Sequence, residues 1–316
     1  MMRIILVTPV SAHSKKGNRV TGARWAGFLR DLGHRVQICR EYDGATCDLL
    51  IAVHALKSYA SIKKFHDLFP QKPLVVNLAG TDLYGSIHND ERARRSLEMA
   101  THLVLLQKLG REELADHLQH KATVIVQSAS APKTRLKKTV RHFDVCVLGH
   151  LRPVKDPMRA ALAARLLPTA SRVRILHAGA AIDAGLAERA RWEQCENPRY
   201  QWLGELPRWR AQRLLGRSRL MVLSSISEGG ANVISEALAA GVPILASRVP
   251  GNVGLLGKDY PGYFPLKDSD GLAHLMHRAE TDLSFLAQLD HWVANLAWTI
   301  HPDRERDAWA DLLKTI

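Results

Sequence analysis

No stretch of this sequence is apolar for the roughly 18–20 residues that a membrane-spanning helix needs. The opening run Ile4-Ile5-Leu6-Val7 is short and is closed by Thr8-Pro9. That pattern reads as a buried strand rather than a signal peptide, so the expectation is a cytoplasmic chain with no membrane span. Sulfur is scarce: Cys39, Cys47, Cys146 and Cys195 form no C-x-x-C pair and no zinc-finger spacing, which excludes a disulfide scaffold. Aromatic residues make up only 6% of the chain, and none interrupts the basic run Lys133, Arg135, Lys137, Lys138 and Arg141. Stacking on bases is therefore poorly supported, and no nucleic-acid partner is expected. No G-x-G-x-x-G follows a strand, and neither a P-loop nor G-x-S-x-G occurs, which argues against nicotinamide, NTP-hydrolysis and α/β-hydrolase chemistry. The one D-x-D, Asp268-Ser269-Asp270, directly precedes a helical pattern and reads as a cap, so no metal is expected.

What the chain does have is an excess of positive charge, +13 over 316 residues, with an ordinary 46% hydrophobic and 24% charged content. The basic residues are spread along helices and interleaved with acids, which suits binding of phosphorylated small molecules. Short apolar runs alternate with amphipathic stretches, the pattern of βαβ units. Strands are predicted at 4–8, 36–40, 49–53, 74–78, 103–107 and 124–127. Helices fall between them, including 21–32, 58–68, 91–100 and 112–118. Residues 129–142 lack periodicity, and the pattern then restarts with strands at 143–148, 172–177, 200–203, 220–224 and 243–247. A Gly/Pro-rich loop is predicted over 250–265, with helices from residue 271 onward. The expected fold is α/β: two Rossmann-like doubly wound domains, 1–135 and 136–316, facing a cleft, with C-terminal helices in the second. Ligands in such sheets bind beyond the carboxyl ends of the strands.

The densest motif is Ser227-Glu228-Gly229-Gly230-Ala231-Asn232-Val233-Ile234-Ser235-Glu236. Backbone N–H groups of Gly230 to Val233 at a helix start make an anion site suited to a diphosphate. Eight residues of helical rise span about 12 Å, the reach from a sugar at Glu228 to a ribose at Glu236. Carboxylates accept hydrogen bonds from vicinal hydroxyls. The plainer alternative, a helix-start acid and a surface acid, fits Glu236 poorly because Val233, Ile234, Ala237 and Leu238 surround it in sequence. A second motif, Gly149-His150-Leu151-Arg152-Pro153-Val154-Lys155, follows a strand. Its Arg152 and Lys155 could reach one diphosphate and stabilise charge developing on a departing nucleotide. In the first domain Lys15-Lys16-Gly17-Asn18 and Arg24 follow the first strand, while His54, Lys57, Thr81 and Asp82 sit at other strand ends.

These residues resemble a known family. Glu228…Glu236 with Gly241-Val242-Pro243 is similar to the E-x7-E region of the family 4-type glycosyltransferases of GT-B fold. The resemblance implies that Glu236 holds the donor ribose and Glu228 the sugar. The family's G-R-L-x-x-x-K loop aligns with Gly149 to Lys155, with His150 in place of Arg. The family's later G-G-x-x-E loop stands here as Gly251-Asn252-Val253-Gly254-Leu255, without the acid. A narrower likeness, carried by Gly17-Asn18, Arg24-Trp25-Ala26, Gly80-Thr81-Asp82-Leu83-Tyr84, Gly149-His150-Leu151-Arg152, Gly229-Gly230-Ala231-Asn232 and the run Gly257 to Phe264, is to the selenosugar synthases of selenoneine biosynthesis. It implies UDP-GlcNAc or UDP-Glc as donor, selenophosphate as acceptor, and an enzyme supplying selenophosphate as partner. Arg152, Lys155 and Glu228 would then be catalytic. His150, Gly229, Gly230, Ala231, Asn232, Val233 and Glu236 would bind the donor. Gly17, Asn18, Arg24, His54, Lys57, Thr81 and Asp82 would bind the acceptor. Two rivals remain: an O-glycosyltransferase making a surface or lipid-linked glycan, with His54 or Asp82 as base, and a basic nucleic-acid-binding protein.

Overall fold

The structure, a computed structural model, describes residues 1–9, 17–130 and 136–316, the side chains of 17–19 excepted. Lys15, Lys16, Lys133 and Arg135 lie outside the described residues. The chain divides into two compact units. The first comprises Met1–Ser128, Glu228–Asn232 and Pro302–Ile316, and the second Ala129–Ser227 and Val233–His301.

The first unit holds strands β1 (Arg3–Val7), β2 (Arg35–Cys39), β3 (Leu49–Val53), β4 (Leu74–Asn77), β5 (His102–Leu105) and β6 (Ala122–Val124), all parallel, in the order β2-β1-β3-β4-β5-β6. The wholly apolar Leu49–Val53 run is buried along its full length, as a parallel strand covered on both faces must be. Alternate residues feed two separate cores, Ile5, Leu50 and Val76 on one face and Ile4, Leu6 and Ile51 on the other. The second core is closed by the last helix, Pro302–Lys314, whose Trp309 meets Trp25 edge-on at 4.9 Å between ring centres. The expected boundary at 135/136 grouped this helix with the second domain; in the structure it belongs to the first unit, because its apolar face packs on the helix Gly17–Asp31.

The second unit holds β7 (Phe143–Leu148), β8 (Val173–Ala178), β9 (Tyr200–Trp202), β10 (Leu220–Leu223), β11 (Ile244–Ser247) and β12 (Tyr263–Phe264), in the order β12-β11-β10-β7-β8-β9. Both sheets are parallel and Rossmann-like. The direction of winding reverses between β1 and β3 in the first sheet and between β7 and β10 in the second, and such switch points are where ligands bind.

Two readings need correction. The segment 250–265 is not a loop: it holds the helix Pro250–Leu256 and strand β12. Pro250 sits at the helix start, where its missing N–H does no harm, and Asn252 ties the turn to the Ser247 carbonyl at 2.9 Å. The first helix also starts earlier than the predicted 21–32: it runs Gly17–Asp31 and begins with Gly17 and Asn18.

Candidate active site

At the switch point of the second sheet, the loop after β7 and the loop after β10 are laced together. Ile226 N–H donates to the Val154 carbonyl at 2.8 Å, and the Ser224 hydroxyl donates to the carbonyls of Lys155 and Asp156 at 3.2 and 2.8 Å. Asp156 adopts a left-handed conformation, φ 41°, and grips Arg159 at 2.8 Å, so the turn carrying Arg152 and Lys155 is pinned at both ends. Lys155 joins Gly149, Ser224 and Ser225 around a cavity of about 10 Å³, room for no more than a water. Both Arg152 and Lys155 are half-buried. His150 accepts from Ala180 N–H through Nδ1 at 3.0 Å, which places its proton on Nε2 and makes that edge a donor. The chain can come this close only because residue 179 is Gly: a Cβ there would lie 1.8 Å from the Gly149 carbonyl oxygen.

Glu236 lies in the helix Asn232–Ala240, 22% exposed at its side chain, with Arg208 at 4.0 Å. The setting inferred from its apolar neighbours in sequence holds, since Ile234, Ala237 and Leu238 are buried around it. Val233 is half-buried in the first turn of the same helix.

In the first unit Glu228 is buried, and the two glycines after it have a packing reason. A Cβ on Gly229 would lie 2.5 Å from Gly80 Cα, and one on Gly230 would lie 2.4 Å from Leu106 Cβ. Gly80 has φ +126°, a conformation that other residues rarely adopt. The Glu228–Asn232 segment thus lies directly on the carboxyl end of β4, beside Thr81.

Here the structure brings His54, Thr81 and Asp82 together. His54 follows β3 in a left-handed conformation, φ 76°, and is buried. Its Nε2 is 3.1 Å from the hydroxyl of Thr81, an exposed residue, and its Nδ1 is 3.5 Å from Asp82 Oδ2. Asp82 is fully buried at the start of a π-helical turn, Asp82–Ser86. Its Oδ1 accepts from the N–H groups of Ala79, Gly80 and Leu83 at 2.8, 2.9 and 3.1 Å, and its Oδ2 from Ala55 at 2.9 Å. A carboxylate so enclosed holds the backbone of the turn around it. Burial pulls the His54 pKa below its ordinary value and Lys57 adds to this, while Asp82 opposes both. Lys57 is exposed, with its N–H 3.4 Å from His54 Nδ1.

Arg24 was expected at the acceptor and is committed elsewhere. Its Nε and Nη2 donate to Glu305 at 2.8 and 3.3 Å, and its Nη1 to Asn232 Oδ1 at 3.1 Å. Glu305 also accepts from Trp25 Nε1 at 2.6 Å and from both the N–H and the hydroxyl of Ser128, at 2.7 and 2.5 Å. Arg24 therefore holds Asn232, the first residue of the Glu236 helix. Glu305 escaped the sequence reading although a signal was there: it lies on one helix face with Trp309 and Leu312, an acid on an apolar stripe. For Gly17 and Asn18 only the backbone is described. Asp268 caps its helix by accepting from Gly271 N–H at 2.9 Å, as expected. Among the described residues no three His, Cys, Asp or Glu side chains converge as a metal site, and no helix is long and apolar enough to cross a membrane.

Comparison with known proteins agrees with the fold. Residues 131–290 match the family described as glycosyl transferases group 1, and the chain belongs to that family. It is 24% identical over 99% of its length to the glycosyltransferase 1 domain-containing protein 1 of Xenopus tropicalis, covering 97% of that protein. Its fold resembles that of Anabaena HepE, solved with UDP and glucose, with a TM-score of 0.77 and 15% identity over the whole of both chains. Sucrose-phosphate synthase of Thermosynechococcus elongatus gives a TM-score of 0.74 at 14% identity, over 100% of this chain and 99% of that one.

Proposed function

We propose that this glycosyltransferase moves glucose or N-acetylglucosamine from a UDP-sugar to the selenium of selenophosphate: the anomeric carbon bonds to selenium as UDP leaves, and transfer of the phosphoryl group from selenium to water then gives the 1-selenosugar. The observation that carries the donor half is the strand–loop–helix unit after β10. There Glu228, two glycines with no room for a side chain, and Glu236, in the helix that begins at Asn232, follow one another in the order the family resemblance assigns to sugar and ribose. Glu236 would take the ribose hydroxyls and Glu228 the sugar. Arg152, Lys155 and the helix start at Asn232 would supply the positive field for the diphosphate, without a metal. HepE, of the same fold, has been solved with UDP-glucose, which supports this class of donor. The acceptor half rests on the motif resemblance, with exposed Lys57 as the cation for a small dianion. Incubation with UDP-GlcNAc or UDP-Glc, with and without selenophosphate, followed by mass analysis, tests both halves. UDP release with a selenium-bearing sugar is the expected product, turnover in EDTA should equal that without it, and selenophosphate left unconsumed would remove the acceptor. The pairing of His54 with the Thr81 hydroxyl favours a second reading, transfer to a hydroxyl acceptor.

A further inference from the structure

We propose that Glu305 and Arg24 are positioning residues for the UDP-sugar: together they hold the side chain of Asn232 away from the start of its own helix, and so keep the first N–H groups of that helix available to the diphosphate. The inference rests on the donor reading above and extends it to two residues remote from the donor motif in sequence.

Thr21, Arg24 and Trp25 share one face of the helix Gly17–Asp31 and build the arrangement. Trp25 and Arg24 both donate to Glu305, whose side chain is fully buried on the last helix, Pro302–Lys314. Each carboxylate oxygen takes one arm of Arg24: Oε2 accepts from Nε at 2.8 Å and Oε1 from Nη2 at 3.3 Å. Ser128 adds two donors to Oε2, and Trp25 one to Oε1. The carboxylate is thereby fixed before any ligand arrives, and it fixes the plane of the guanidinium. Nη1 is left facing Asn232 Oδ1 at 3.1 Å, while the Asn232 amide donates to the Thr21 hydroxyl at 3.4 Å. Both ends of one carboxamide are thus held by two residues a helical turn apart. Arginine suits the task because its planar group carries donors on both edges, whereas a lysine ammonium is a point charge.

Asparagine at a helix start ordinarily turns its oxygen onto an N–H two or three residues further on. At Asn232 that bond would occupy the groups an anion needs, since the first N–H groups of a helix have no carbonyl partner and carry the positive end of its dipole. Arg24 draws the oxygen the other way. An ion pair serving stability alone would end at Glu305, and buried pairs are a weak source of stability. This one sends its remaining arm to the first residue of the helix that carries Glu236. The backbone entering that helix has no slack, because Gly229 and Gly230 lie against Gly80 and Leu106. The side chain of Asn232 is what can still turn.

The test is a double-mutant cycle on the full chain, read by calorimetry with UDP alone, which needs no acceptor. Arg24→Lys keeps a cation beside Glu305 and releases Asn232. It should weaken UDP about fivefold, the size of one helix cap. In an Asn232→Ala background, where no carboxamide can turn back, Arg24→Lys should change UDP affinity by less than about twofold. Glu305→Gln leaves a single carbonyl oxygen for donors on both sides and should repeat the pattern. Near-UV circular dichroism of the Trp25–Trp309 pair shows whether each variant is folded. Should Glu305→Gln fail to fold, the Arg24→Lys cycle decides alone. A role confined to packing would weaken UDP equally in both backgrounds, or in neither, and either result overturns the inference while the donor reading stands. A parent that does not bind UDP overturns the donor reading and this inference with it.

Discussion

Among the described residues each unit buries one histidine near the carboxyl end of a strand, and the two are built differently. His177, in β8, bonds the Gly149 carbonyl through Nε2 and the Tyr200 hydroxyl through Nδ1, both at 2.9 Å. A carbonyl can only accept, so the proton of His177 sits on Nε2 and the Tyr200 hydroxyl donates to Nδ1. Nothing about that ring is left to change. His54 instead directs Nε2 at the hydroxyl of an exposed residue, which can donate or accept, and does so from a left-handed backbone. Burial lowers both pKa values, that of His177 to about 4. A lowered pKa alone therefore does not tell these two settings apart. The partners do.

The sharpest way to break this comparison is to remove each ring. His177→Leu leaves the Gly149 carbonyl and the Tyr200 hydroxyl buried without a partner, each worth about 1–3 kcal/mol. The expected loss is roughly 4 kcal/mol in urea unfolding, whereas Thr81→Val should cost under about 0.5 kcal/mol, as exposed substitutions do. A smaller effect comes from pH. Between the unfolded value of 6.5 and the folded value of about 4, the unfolded chain binds a proton that folded His177 refuses. Stability is therefore fully present above the upper limit and falls as pH drops through the window, by roughly 3 kcal/mol in total. Denaturation midpoints measured across that window should show the fall, and His177→Leu should remove most of it.

Smaller again is the packing of the glycine pair. Gly229→Ala forces a Cβ to 2.5 Å from the Gly80 backbone and should destabilise by about 2 kcal/mol, read as a lower thermal midpoint. The smallest expected change in binding is at Glu236, whose side chain is part-exposed. Glu236→Ala should weaken UDP about tenfold, the loss of one charged hydrogen-bond partner, with no shift in unfolding midpoint. Calorimetry with UDP checks it, and an unchanged affinity would detach the donor role from this residue.

Much of the fold is legible in the chain itself because parallel strands buried on both faces must be short apolar runs, and Leu49–Val53 and Leu220–Leu223 are such runs. The helix Pro250–Leu256 was missed because Pro and Gly dominate its composition, although Pro at a helix start is a recognised opening. The acids at 228 and 236 were legible as a spaced pair. Arg24 was not: one guanidinium in an extended reading is a candidate for any anion, and only its approach to Glu305, far along the chain, gives it a partner. Spacing cannot report a contact of that range.

The chain by itself determined two doubly wound sheets, the spacing of the acids at 228 and 236, and the absence of a zinc-finger or P-loop spacing. Those are consequences of local periodicity and of short motifs, which depend on neighbours in sequence. Only the tertiary structure decided that the last helix completes the first unit, that Gly229 and Gly230 are demanded by close backbone approach, and that His54, Thr81 and Asp82 meet. Each of these depends on which strand ends become neighbours in a sheet, and strand order is set by burial of whole faces rather than by any one residue's propensity.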